Sequence, residues 1–140
     1  MNTAARAFPP ELPRLPPPIE VALMVVDSSS DGLHAAYAAL LLRDGSKPRL
    51  ILGTAHGIST GMVEIWGAKL AARRARGVIG PHAWLTVFTD CQTLTLRKQR
   101  FLTSYHWMSR KDPAIRLMDR LARSLRLAAA TKPGEDPQTR

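Results

Sequence analysis

The stretch "AWLTVFTDCQTL", residues 83–94, sets the question that decides the fold. Its first eight residues, rich in β-branched and aromatic side chains, read as a buried strand. The run then ends on an acid, Asp90, and passes through polar residues into Arg97-Lys98-Gln99-Arg100. A carboxylate at the edge of an apolar core is costly unless something cationic meets it. An arginine, a helix N-terminus or a metal ion would each serve.

Working outward, "VALMVVD" (21–27) is a second continuous apolar run, patterned for burial on both faces and again ending on an acid. "DSSSDG" after it is turn material. "AAYAALLLRDG" (35–45) and "PRLILGTAHG" (48–57) flank a hairpin turn. "STGMVEIWGAKLAARRARG" (59–77) has the spacing of a helix, with Ser59 or Thr60 as its cap and Gly77 as its stop. "CQTLTLRKQR" (91–100) reads as a short helix and "FLTSYHWM" (101–108) as a strand. "DPAIRLMDRLARSLRLAAA" is an amphipathic helix with Pro113 in its first turn. The order β-β-β-α-β-α-β-α predicts an α/β fold, hairpin first and crossovers afterwards.

The length, 140 residues, suits one domain. Residues 19–130 carry it. Residues 1–18 hold six of the eleven prolines, so this segment is expected to be a polyproline-II or flexible tail, with a protein partner as one use for it. Residues 131–140 read as a second polar tail. A formal net charge of +9 and a pI near 10.8 favour anionic partners, nucleic acid before a membrane surface. The only cysteine is Cys91, which excludes an intrachain disulfide and a thiolate cage and fits a cytoplasmic protein. No apolar run approaches the roughly 20 residues that span a bilayer.

Four of the eleven acids stand out. If helix 59–77 is the crossover between the strands ending at Asp27 and Asp90, those strands are parallel neighbours. Their carboxylates then share the edge where open α/β sheets bind ligands. Glu64 lies early in that helix, among Gly61, Ala68, Ala71 and Ala72, whose small side chains allow close approach to the sheet. Asp119 lies beside the packing stripe Ile115, Met118, Leu121, Ala122 and Leu125 of the last helix. Each acid also has an ordinary role open to it. Asp27 can cap a turn and Asp90 the next helix, Glu64 can pair with Lys69 or Arg73, and Asp119 with Arg116 or Arg123. Taken together, carboxylates converging on one point call for divalent cations, and oxygen-only ligation suits Mg²⁺ or Mn²⁺.

With these residues in view, the chain resembles the ribonuclease H family over about residues 20–128. "VVDSSS" looks like the family's first strand end, "STGMVEIWGAKLAA" like its acid-bearing helix, "FTDCQ" like its Thr-Asp-Ser-Gln strand end with Cys91 for serine, and "MDRLAR" like its last helix. The resemblance implies an RNase H-like fold, a five-stranded mixed sheet with an antiparallel hairpin first, then parallel strands, flanked by helices. It implies Asp27, Glu64, Asp90 and Asp119 as a catalytic, metal-binding quartet for Mg²⁺ or Mn²⁺. It also implies two-metal cleavage of the RNA strand of RNA–DNA hybrids. Thr60, Gly61 and Gln92 fall where the family contacts nucleic acid. Ser28, Arg97, Lys98, Arg110 and Lys111 are the further contacts expected here.

The chain departs from the family pattern at four points, one of them the absence of the common Asn before Glu64. Ser109 holds the place of a histidine found in many members, with His106 close but misaligned. Ser28 follows Asp27 where glycine is usual. The interval from Asp90 to Asp119 leaves no room for the basic handle helix of some members. These departures keep open a catalytically weak or silent module that binds nucleic acid or a protein, and a nuclease for another nucleic acid. Basic residues after Asp90, and Arg73, Arg74 and Arg76 near the end of the first long helix, are candidate phosphate contacts. Trp66, Tyr105 and Trp107 are assigned to the core, with stacking on a sugar or base as the alternative.

Overall fold

The computed structural model describes residues 20–96 and 102–131. Both expected tails, apart from the residues adjoining the domain, lie outside that range, as do Arg97, Lys98 and Arg100 of the basic cluster. Five strands, Val21–Ser30 (β1), His34–Leu42 (β2), Arg49–His56 (β3), Trp84–Thr89 (β4) and Thr103–Trp107 (β5), form one sheet in the order β3-β2-β1-β4-β5. The helices are Val63–Ile79 (α1), Gln92–Thr95 (α2) and Pro113–Ala130 (α3). β1, β2 and β3 pair antiparallel, whereas β4 lies parallel to β1, and β5 parallel to β4. This is the mixed sheet expected from the sequence, hairpin first.

β2 lies between β3 and the central strand β1, and its residues Ala35 to Ala39 are buried without interruption. A strand covered on both faces reads this way, as a run and not an alternation. α1 lays Ala68, Ala71, Ala72, Ala75 and Ile79 on one face, against Met24, Val26, Tyr37 and Val87. α3 lays Ile115, Met118 and Ala122 on the other, against Val25 and Ala38. At the start of α3, Asp112 accepts the Ala114 N–H at 2.9 Å and Pro113 occupies the first turn.

Four local expectations need correction. β1 continues through Ser28, Ser29 and Ser30, because these residues pair with Tyr37, Ala36 and Ala35 and so satisfy their backbone in the ladder. At its other end, Val21 and Leu23 are exposed, so β1 is covered on both faces only along its second half. α1 starts at Val63, behind the N-cap Met62, and neither Ser59 nor Thr60 caps it. Those two residues form the preceding turn, in which Met62 N–H donates to the Ser59 carbonyl. Gly77 is inside α1, and the stop is Gly80, whose φ of 85° is the left-handed geometry a helix end takes up.

The glycine that permits close approach is Gly67, not Gly61. A Cβ at Gly67 would come within 1.9 Å of Ser28 Oγ and 2.9 Å of Tyr37 Cβ, whereas one at Gly61 meets nothing within 4 Å. Gly67 therefore sets how near α1 lies to β1, and hence where Glu64, one helical turn earlier, sits. Among the described residues, no helix is long and apolar enough to cross a membrane.

Candidate metal centre

β1 and β4 run parallel and adjacent, with Val25 opposite Phe88, so both chains leave the sheet at the same edge. Asp27 lies near that edge in β1, and Asp90 follows the last residue of β4. Glu64 is the second residue of α1, the crossover between them. One ligand oxygen from each of Asp27, Glu64 and Asp90 lies within 4.8 Å of the others. They line an open cavity of about 310 Å³ whose other walls include Thr60, Arg110 and Asp119.

The electrostatics of the group follow from crowding and burial. Asp27 is 5% exposed. Burial, then the Asp90 carboxylate and more weakly Asp119, push its carboxyl up to about 7, against the pull of the Ser28 N–H at 2.9 Å. Glu64 rises further, to about 9, through burial and the charges of Asp27 and Asp90, and its protonated form donates to Asp27. A helix N-terminus ordinarily favours an anion; here two neighbouring carboxylates and desolvation outweigh it. Asp31, at the tip of the following turn, behaves in the opposite way. The backbone N–H groups of His34 and Leu33 hold it down to about 2. The contrast separates a turn-capping aspartate from one pressed against other acids.

Asp90 meets one of the partners its position called for, an arginine. Arg110 Nε donates to its Oδ2 at 3.1 Å, while the buried Oδ1 has no hydrogen-bond partner among the described residues. The Asp90 side chain is 7% exposed and that of Arg110 84%, so the arginine reaches in from solvent. An orphaned carboxylate oxygen aimed into an all-oxygen group fits a hard divalent cation, and the donor set holds no sulfur or imidazole.

Asp119 stands apart. It lines the same cavity, but it lies outside the tight group of three, and Arg123, one turn along α3, donates to its Oδ1 at 3.1 Å. The i,i+4 pairing open to it in the sequence is made. Thr60 is exposed on the cavity rim, and Gly61 is exposed beside it. Ser28 is buried, its Oγ under Gly67 and without a hydrogen-bond partner among the described residues. Gln92 opens α2 and lines a second groove with Arg110 and Lys111.

Several basic side chains expected at phosphates serve the fold. Arg74 donates to Tyr37 Oη and the Leu52 carbonyl. Arg76 joins Gly80 and Leu102 carbonyls and Thr103 Oγ1, tying the end of α1 to β5. Arg126 donates to Ser29 Oγ at 2.9 Å and so anchors α3 to β1. Trp66 packs edge-on against Tyr37, as a core residue does, but Trp107 is 54% exposed and leaves the core assignment. His106 is exposed in β5, with Nε2 3.0 Å from Ser104 Oγ, and Ser109 Oγ accepts the Lys111 N–H.

By sequence, no family model and no curated protein matches the chain. By structure, it is similar to the N-terminal RNase H domain of Rv2228c from Mycobacterium tuberculosis, with a TM-score of 0.60 at 18% identity, covering 79% of this chain and 96% of that one. It is also similar to LC11-RNase H1, solved in complex with an RNA/DNA hybrid, with a TM-score of 0.61 at 10% identity, covering 79% and 99%. The chain has the ribonuclease H fold. Its likeness to these proteins runs over nearly their whole length, so the ribonuclease H fold here carries no large deletion relative to them. Within that fold the acidic group occupies the C-terminal edge of the parallel strands, where open α/β sheets place their sites.

Proposed function

We propose that the protein is a metal-dependent endonuclease that cleaves the RNA strand of RNA–DNA hybrids. The observation that carries this reading is the group Asp27, Glu64 and Asp90, with ligand oxygens within 4.8 Å of one another and one buried Asp90 oxygen unpartnered among the described residues. Mg²⁺ or Mn²⁺ held there would supply two-metal chemistry, activating a water and stabilising the leaving oxygen of the phosphodiester. Asp27, Glu64 and Asp90 are the ligands, and binding requires Asp27 and Glu64 to release protons that burial and mutual repulsion keep on them. Asp119 faces the same cavity and joins the ligand set by giving up Arg123.

The chain's own side chains also place the polymer. Thr60 and Ser28 border the acidic cavity, Gly61 is exposed next to Thr60, and Gln92, Arg110 and Lys111 border the groove beside it. These, with Arg97 and Lys98, contact the backbone, which supplies affinity independent of sequence. A hybrid is then read by shape and 2′-hydroxyls in a wide minor groove. The known complex of LC11-RNase H1 with an RNA/DNA hybrid supports the choice of substrate.

The test is strand selectivity. End-labelled RNA–DNA, RNA–RNA and DNA–DNA duplexes of one sequence are incubated with the protein and Mg²⁺ or Mn²⁺. Internal cuts confined to the RNA of the hybrid are expected. Equal cutting of double-stranded RNA or of DNA would replace the hybrid as substrate.

A further inference from the structure

Beside the acidic cavity lies a second open groove, of about 540 Å³, that shares Glu64, Asp90 and Arg110 with it. Its remaining lining includes Gln92, Trp107 and Lys111. Trp107 closes β5 at the sheet's outer edge, opposite Thr89, and leaves 54% of its surface in solvent. An indole face left open to solvent in this groove forgoes its burial energy. Arg110 reaches both grooves: it donates to Asp90 Oδ2 at 3.1 Å, and its guanidinium is 84% exposed. Lys111 is exposed next to it. An aromatic face with two cations, continuous with a carboxylate group, matches a nucleotide: a base to stack and a phosphate to neutralise.

We propose that this groove is a subsite for a single nucleotide whose base is unstacked, with Trp107 against the base and Arg110 and Lys111 at its phosphate. The reading rests on the nuclease assignment only in placing the nucleotide next to the scissile bond. Inside a continuous duplex both faces of each base are occupied by neighbours, so Trp107 can stack only where a base is free. The subsite therefore selects hybrids with an unpaired ribonucleotide at a tail, nick or flap over blunt hybrids.

Binding is measured for the full chain in EDTA at low salt, so that no cleavage intervenes. Three ligands are compared: a hybrid with an unpaired RNA tail, a blunt hybrid lengthened to the same number of phosphates, and the tail as free single-stranded RNA. The tailed hybrid is expected to bind about tenfold tighter than the blunt one, in the range of one base stacked on an aromatic ring. It is also expected to quench the indole emission. Trp107→Ala removes that advantage and leaves blunt-hybrid affinity unchanged, while Trp107→Tyr, which keeps a stacking face, retains most of it. Circular dichroism confirms that the variants fold. Equal affinity for tailed and blunt hybrids, or an advantage that survives in Trp107→Ala, overturns the subsite. Tail-dependent quenching in a protein that cuts nothing supports the subsite and removes the nuclease reading. A protein that binds none of the three overturns both.

Discussion

Replacing Asp27 by Asn should make the metal-free protein more stable. Asp27 is 5% exposed and its carboxyl is raised from 3.8 to about 7, first by burial and then by Asp90. A group whose folded pKa lies above its unfolded value costs nothing when both states are protonated. It destabilises the fold progressively as pH climbs from the unfolded value through the folded one. At about 1.4 kcal/mol per tenfold, the full penalty above pH 7 is about 4 kcal/mol. Asparagine removes the charge and keeps an oxygen to accept the Ser28 N–H. Its amide brings two donors that need partners, and Glu64 and Asp90 still repel, so a net gain of about 2 kcal/mol is expected. For a domain of this size that is a rise of roughly 8 °C in Tm. Thermal melts in EDTA, followed by circular dichroism, read it directly at pH 8. At pH 4.5, near the unfolded value, only about a quarter of the charge penalty remains, the cost of the amide offsets it, and the gain should disappear. In excess Mn²⁺ the order should reverse, because only the native site binds the ion and is stabilised by mass action. An Asn variant that melts below the native protein in EDTA at pH 8, or that differs equally at both pH values, would refute the reasoning.

The same linkage predicts that divalent-metal affinity rises with pH between about 6 and 9, since Asp27 and Glu64 must ionise first; calorimetry in buffers of different ionisation enthalpy should register proton release, and pH-independent binding without it would contradict the assignment. Gly67→Ala should destabilise the protein by about 1–3 kcal/mol, because its Cβ would overlap Ser28 Oγ at 1.9 Å. Gly61→Ala, in open space, should stay within about 0.5 kcal/mol of the native protein in a urea titration. Arg110→Ala should leave stability within the same margin of about 0.5 kcal/mol, because the arginine is 84% exposed and solvent screens its charge, yet weaken hybrid binding in filter assays.

Much of the fold was legible because each element carried its own period. The apolar runs at 21–27 and 83–90 marked strands inside the sheet, and the parallel pairing of β1 with β4 then followed from the helix between them. The convergence of Asp27, Glu64 and Asp90 was legible for the same reason: strand ends and a crossover start are fixed by topology. What was not legible depended on neighbours distant in sequence. Gly67 sits unremarkably in an alanine-rich helix, and only Ser28 lying beneath it shows why glycine is there. Asp119 reads as a fourth ligand in "MDRLAR", but Arg123 one turn away claims it in the metal-free fold. Arg76 reads as a phosphate contact until its carbonyl partners in the 80s and at Leu102 are seen. Trp107 read as core because aromatic residues usually are, whereas the end of an edge strand leaves it open.

The central claim is that the three clustered carboxylates hold the ions that cut RNA. Cleavage of a labelled RNA–DNA hybrid by the native protein, Asp90→Asn and Glu64→Gln, each with Mn²⁺, Mg²⁺ or EDTA, tests it most directly. Metal-dependent RNA cuts by the native protein, abolished in EDTA and lost by at least a hundredfold (about 2.7 kcal/mol) in both folded variants, are the predicted result. Cleavage that persists in either variant, or a native protein that binds hybrid and leaves it intact at high concentration with both metals, would contradict it.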